Sequence, residues 1–215
     1  MEIAGLVLAA GAGRRFGRPK ALVEWRGELL VRHAARTLTE AGCARTVVVI
    51  GAGADQVRAA APELDFVDNP QWSTGMASSL RAGLAALRPS PAGAAVVLLV
   101  DMPGVTPAAV RRITADATPA ALATGGYDAR RGHPVLLGRE HWAGVAESAA
   151  GDHGARDYLR AHQDILRVVP VGDVAGDFDL NTAEQAARHA CGGPDARTVS
   201  DQVLRPVQPQ PLPPG

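Results

Sequence analysis

The stretch Leu8-Ala9-Ala10-Gly11-Ala12-Gly13-Arg14-Arg15-Phe16-Gly17-Arg18-Pro19-Lys20 closes a short apolar run of Ile3, Leu6, Val7 and Leu8. A run of that length stopped by glycine reads as a buried strand, and the Gly/Arg stretch as the loop at its carboxyl end. Working outward, residues 29–41 have helical spacing (Leu30, Ala34, Leu38, Ala41) and stop at Gly42, which suits a helix C-cap. Residues 46–50 are β-branched, 55–61 read as a short helix stopped by Pro62, and 66–67 as a short strand. Residues 76–87 are again helical by period, 94–100 form the most apolar strand, and Thr106-Pro107 opens a further helix with Thr106 as N-cap.

Continuous apolar strands alternating with helices specify a parallel sheet covered on both faces. The predicted fold class is therefore α/β: one three-layer α/β/α domain over residues 1–192, Rossmann-like and mostly parallel. Its second half is smaller and less regular. Strands at 120–124 and 134–137 flank Gly125-Gly126-Tyr127-Asp128 and Arg130-Arg131-Gly132-His133, followed by a helix at 155–162, a strand at 165–171 and a helix at 182–190. Residues 193–215 carry most of the late prolines and read as a disordered tail.

The chain has 215 residues, a length that suits one domain. Lys+Arg and Asp+Glu are both 22, so the net charge is zero. That argues against a coat for nucleic acid or an anionic membrane, but leaves room for a local phosphate site. Two cysteines, Cys43 and Cys191, make neither a disulfide framework nor a zinc site. No signal peptide and no membrane-spanning stretch is evident, so a cytoplasmic protein is expected. Of the 22 basic residues one alone is lysine, Lys20, in a chain that otherwise uses arginine. A compact ammonium on a flexible stem does not substitute for a planar guanidinium.

In an open α/β sheet, ligands bind outside the carboxyl ends of the strands. The glycines let backbone N–H groups approach an anion, and Arg14, Arg15, Arg18 and Lys20 add four charges within seven residues. A triphosphate suits that combination. The P-loop pattern is absent, because Lys20 stands three residues past Gly17 and Ala21 supplies no hydroxyl. The dinucleotide fingerprint fits poorly, since Gly11, Gly13 and Gly17 are spaced one residue too long and Val49-Ile50-Gly51 brings no acid for a ribose. A phosphorylated cofactor held by arginines stays open.

Asp101 ends the most apolar strand, where a carboxylate can hold Mg²⁺ against phosphates. It equally suits a turn before Met102-Pro103-Gly104. Alternation places Asp177, Asp179 and Asn181 on one side of an extended segment, and Asn181-Thr182 also suits a helix cap.

The opening stretch resembles the signature of the nucleotidyltransferase superfamily that activates sugars, isoprenoid precursors and the molybdenum cofactor. It carries Leu8-Ala9-Ala10-Gly11, Arg15, Gly17 and Lys20 at the signature spacing, with Gly13 where the family often has serine. Gly75-Met76-Ala77-Ser78-Ser79-Leu80, Asp101-Met102-Pro103, Gly132-His133-Pro134-Val135 and Gly151-Asp152-His153-Gly154-Ala155-Arg156 then resemble, in order, the branch that transfers CMP to molybdopterin. The resemblance implies Mg²⁺-dependent transfer of CMP from CTP to molybdopterin with release of pyrophosphate. It implies Lys20, Arg15 and Asp101 as catalytic residues. It implies nucleotide contacts from Leu8, Ala9, Ala10, Gly11, Gly13, Arg15, Lys20, Asn69, Gly75 and Ser79. Acceptor contacts would come from His133, Asp152 and Arg156, and metal ligands from Asp101, Asn181 and Asp179. A molybdoenzyme or chaperone is the protein partner it suggests. Two alternatives are carried: GTP or another phosphorylated acceptor on the same fold, and an NADPH-dependent reductase or cofactor carrier with a borrowed loop.

Overall fold

Alternating side chains along three parallel strands build two apolar layers. The computed structural model describes residues 1–128, 130–182 and 185. β1 (Ile3–Leu8) lies between β4 (Arg45–Ile50) and β6 (Ala94–Leu99), parallel to both. Val7, Val48, Ile50, Val96 and Leu98 point to one face, where α1 (Leu30–Glu40), α2 (Ala54–Ala60) and α4 (Pro107–Thr114) cover them. Leu6, Leu8, Val47, Val49 and Val97 point to the other, under α3 (Met76–Leu87), α5 (Trp142–Ser148) and α6 (Arg156–Ala161). Pro107 at the first turn of α4 and a bond from Ala109 N–H to Thr106 Oγ1 start that helix as the sequence predicts.

β5 (Asp65–Asp68), β7 (Leu122–Tyr127), β8 (Arg130–Gly138) and β9 (Leu166–Pro170) complete a seven-stranded sheet among the described residues, in the order β5-β4-β1-β6-β8-β7-β9. Only β8 runs antiparallel to its neighbours. The α/β, mostly parallel, single-domain architecture is the expected one.

One local reading is corrected and two elements are new. The segments flanking 120–124 and 134–137, expected as loops, are strand: β7 and β8 form a hairpin reversed near Asp128, whose φ is +52°. Residues 24–29 form a small hairpin of β2 (Glu24–Trp25) and β3 (Glu28–Leu29), turned by Arg26 and Gly27, both at positive φ. Helix α5 was not foreseen. The predicted helix 182–190 beyond Thr182 and Gln185, and the tail 193–215, lie outside the described residues. Among the described residues no helix is long and apolar enough to cross a membrane.

One irregularity positions the site. Thr124 pairs with Val135, but Gly125 pairs with Gly132, so His133 and Pro134 bulge out of the β8 ladder. Proline has no N–H to give a ladder, and a bulge re-aims its side chains. β8 therefore pairs with β6 only from Ala94 to Val97, which leaves the carboxyl end of β6 open on that side.

Candidate active site

The turn after β1 is tied down at both ends. Ala9 N–H bonds to Val49 O at 2.9 Å and Ala52 N–H to Ala10 O at 3.0 Å, holding the start of the turn to β4. At its far end Ala21 is fully buried and anchors a single 3-10 turn, Lys20–Leu22. Between them Gly13 has φ +59°, and a Cβ there would lie 2.0 Å from Arg18 O and 2.9 Å from Lys20 N. The serine of the family signature is thus excluded by this backbone: the chain that delivers Lys20 runs where its side chain would begin.

Lys20 reaches across the carboxyl edge of the sheet. Its Nζ donates to Asp101 Oδ2 at 2.5 Å and to Asn181 Oδ1 at 2.9 Å. Arg15 Nη2 donates to the same Asn181 oxygen at 3.0 Å. Asn181 Nδ2 donates in turn to the Asp179 carboxylate. The amide can face only one way, its nitrogen to the carboxylate and its oxygen to the two cations. A bond from Leu180 N–H to Asp101 O at 2.8 Å ties this late segment to the end of β6. Thr182 and Gln185 add a capping box: Gln185 Oε1 accepts from Asn181 and Thr182 N–H, and Thr182 Oγ1 accepts from Gln185 N–H. The Gln185 partner was not anticipated, although the Thr-x-x-Gln spacing signals it. The Lys20 and Asp101 side chains are each 18% exposed, so the ion pair is half-enclosed at the mouth of a cleft.

A divalent ion suits this donor set. Asp101, Asn181 and Asp179 offer hard oxygens, and Mg²⁺ takes one or two carboxylates with the rest from substrate and water. Among the described residues no cluster of three or more His, Cys, Asp or Glu converges. Any ion would therefore share its shell with phosphate oxygens.

The amino end of α3 forms the opposite wall. Gly75 has φ +112°, and a Cβ there would meet Gly151 O at 2.5 Å. Ala77 N–H bonds to Gly151 O, and Met76 N–H to Asp152 Oδ1 at 3.3 Å, so Asp152 caps the helix as well as facing the cleft. Asn69, expected as a nucleotide contact, is engaged in hydrogen bonds within the protein. It is 4% exposed; its Nδ2 donates to Ser78 Oγ and Ser79 Oγ, and its Oδ1 accepts from Gln71 N–H. It clamps the loop onto α3. Ala9, 1% exposed, likewise packs into the core. Leu8, Ala10, Gly11, Gly13, Lys20, Gly75, Ser79 and Asp101 do share one hollow of about 240 Å³, with Trp72 beside them.

A second hollow of about 350 Å³ adjoins it, with Leu8, Met76, Leu99 and Asp152 lining both. This larger lobe lies beside the Lys20–Asp101 pair rather than around it. Its floor is apolar (Leu80, Val97, Leu99, Val135, Leu159) and its rim carries Arg131, Arg156 and Arg160. His133 enters it from the β8 bulge. Enclosure by the surrounding protein pushes the imidazole down to about 4, against a smaller upward pull from Asp101 and Asp177, so the ring is neutral at pH 7. Tyr127 OH donates to His133 O at 2.6 Å, and burial, with a smaller contribution from Asp177, raises that phenol to about 12. His133, Asp152 and Arg156 are thus brought together as the sequence grouped them. Arg131, Arg160 and Met76 join them, which no spacing could reveal because they come from three separate elements.

The chain is similar, among others, to one known family and three known proteins. A family model described as MobA-like NTP transferase domain matches residues 5–165. The nicotine blue oxidoreductase of Paenarthrobacter nicotinovorans is 37% identical over 196 residues, 86% of this chain and 95% of that protein. Among solved structures, Rv0371c from Mycobacterium tuberculosis H37Rv has a TM-score of 0.76 at 29% identity, covering 88% of this chain and 98% of that one. It is also known as a manganese complex. The molybdopterin-guanine dinucleotide biosynthesis protein A of Archaeoglobus fulgidus shares the fold, with a TM-score of 0.62 at 20% identity over 86% of this chain and 95% of that one.

Proposed function

The chain belongs to the MobA-like NTP transferase family, and on that premise we propose that it transfers CMP from CTP to the terminal phosphate of a molybdopterin-type acceptor. The observation that carries this reading is the meeting of Lys20 with Asp101 and Asn181, residues 81 and 161 positions away, beside the glycine turn. Such a cluster of cations and hard oxygens suits a polyphosphate. The adjoining lobe, with an apolar floor and an arginine rim, suits a flat ring system bearing an anionic group.

In the reaction an acceptor phosphate oxygen forms a bond to the α-phosphorus of the NTP, the bond to the bridging β-phosphate oxygen breaks, and pyrophosphate leaves. The chain's share is positioning and neutralisation of charge. The turn and Arg15 hold the outer phosphates. Lys20 exchanges its carboxylate partner for the α-phosphate as charge develops there. Asp101 and Asn181 would hold Mg²⁺, which when bound supplies Lewis-acid stabilisation of the phosphate oxygens. Arg131 and Arg156 steer the acceptor phosphate, and neutral His133 offers a hydrogen bond to its ring. The nucleophile is already ionised at pH 7, so no general base is required of His133. The test is pyrophosphate release from each of four NTPs with molybdopterin, with and without Mg²⁺. CTP with Mg²⁺ should be preferred; preference for GTP would keep the chemistry and change the nucleotide.

A second reading is favoured by one observation, the oxidoreductase name of a relative that spans nearly the whole chain. On that reading the arginines hold a phosphorylated dinucleotide and the apolar lobe a reducible ring. Metal-independent oxidation of NADPH, with no pyrophosphate released from any NTP, would establish it.

A further inference from the structure

The oxygens that suit a metal are already neutralised by the protein itself. Asp101 Oδ2 faces the Lys20 ammonium at 2.5 Å, and Asn181 Oδ1 accepts from both Lys20 and Arg15. Asp179 fixes the Asn181 amide in that orientation, and the Leu180–Asp101 backbone bond fixes the two segments relative to each other. The charges of Arg15, Lys20, Asp101 and Asp179 sum to zero before any ligand arrives. With both partners 18% exposed, the Lys20–Asp101 pair is shielded from much of the screening that weakens surface ion pairs. A divalent cation entering alone must displace the ammonium or sit beside it.

We propose that Lys20 is the resident counter-ion of the Asp101–Asn181 oxygen pair, so that a divalent cation binds only as a polyphosphate draws the lysine away. The proposal rests on the nucleotidyl-transfer reading. The lysine presents a compact ammonium on a flexible stem, a point charge that can pass from carboxylate to phosphate without the planar, two-pronged geometry a guanidinium favours. Metal and NTP are then coupled ligands: each raises the affinity of the other, by the same factor. The idle site holds little free metal, and the turn keeps its lysine in place until substrate arrives.

The test uses Mn²⁺ as probe, followed by electron paramagnetic resonance of the free ion, on the full chain without nucleotide. Lys20→Met keeps an unbranched side chain one atom shorter and removes the charge. It should bind Mn²⁺ at least tenfold more tightly than the wild type, about 1.4 kcal/mol. Lys20→Arg should not, and Asp101→Asn added to Lys20→Met should abolish the gain. Equal or weaker Mn²⁺ binding by Lys20→Met overturns the proposal. The lone lysine gives a second measurement that needs no variant, a single ¹⁵Nζ ammonium resonance. It should hold its position under Mg²⁺ alone and move when CTP is added with Mg²⁺; movement under Mg²⁺ alone overturns the proposal. Wild-type pyrophosphate release separates the two ideas. Turnover with no Mn²⁺ gain in Lys20→Met sinks the counter-ion and spares the transferase. A Mn²⁺ gain with no turnover of any NTP supports the counter-ion and sinks the transferase.

Discussion

Replacing Gly13 by alanine should damage the site out of proportion to the one carbon added. In the present backbone a Cβ at Gly13 would stand 2.0 Å from Arg18 O, whereas real Cβ atoms essentially never come under 3.0 Å. The carbonyl must retreat by about 1 Å, and Lys20 N, at 2.9 Å, moves with it. The φ of +59° adds about 1–2 kcal/mol for any residue with a side chain. A displacement of that size at a positioning element costs on the order of a hundredfold in rate. Gly13→Ala should therefore lower kcat/KM for pyrophosphate release about a hundredfold, and Gly13→Ser, although serine is common in the family signature, should do no better. One neighbour calibrates the result. Gly17 has φ +71° but open space around it, so Gly17→Ala should lose only about 1 kcal/mol of loop stability. Gly11 has neither constraint, but it lines the hollow beside Lys20, so a methyl there reports on access for the nucleotide rather than on the path of the turn. If Gly13→Ala falls within threefold of Gly17→Ala, the turn does not hold Lys20 in the way described.

Other expectations follow from the same geometry. Lys20→Ala should lower kcat by about 10²–10³, the usual cost of losing one donor to developing charge, with an unchanged circular dichroism spectrum. His133 titrates near 4 in the folded chain, below its ordinary value of 6.5. Between those values the unfolded chain takes up a proton that the folded chain refuses, so stability falls as pH drops from about 6.5 to about 4, by at most about 3 kcal/mol. Thermal melts of His133→Gln across that range should show a shallower decline than the wild type; coincident profiles would refute the enclosure of the ring. Arg156→Ala should raise the acceptor KM about tenfold, the size of one charge-assisted hydrogen bond, and leave the KM for CTP unchanged.

The parallel half of the fold was legible because its strands announce themselves. Leu6-Val7-Leu8, Thr46–Ile50 and Val96–Leu99 are continuous apolar runs, and each is bounded by glycine or a turn. The β7–β8 hairpin was hidden by its own glycines. Gly125 and Gly132 read as punctuation, yet they let strands and neighbours close up: a Cβ on Gly125 would lie 2.8 Å from His133 O, and one on Gly132 2.9 Å from Asp177 Oδ1. Helix α5 was missed for a related reason, since Gly144, which weakens the helical signal, makes room for the Tyr158 ring. The β2–β3 hairpin is only two residues a side, too short for any period.

In the site, the single lysine among arginines and the aspartate ending β6 could be paired from the family signature alone. The role of Asn69 could not. An asparagine before a proline at a cleft reads the same whether it meets a base or, as here, ties Ser78 and Ser79 to a loop. Of the arginine rim only Arg156 was legible; Arg131 comes from β8, and Arg160 lies one turn beyond Arg156 on α6. Their convergence needs β8 and α6 to meet across the lobe, which no stretch of sequence shows.

Calorimetric titration of the full chain with CTP reads directly whether Lys20, Asp101 and Asn181 jointly gather a polyphosphate. Saturable binding that strengthens with Mg²⁺ and disappears in Lys20→Ala is the predicted result. Tight binding of NADPH without metal, beside no heat from CTP or GTP, would contradict it.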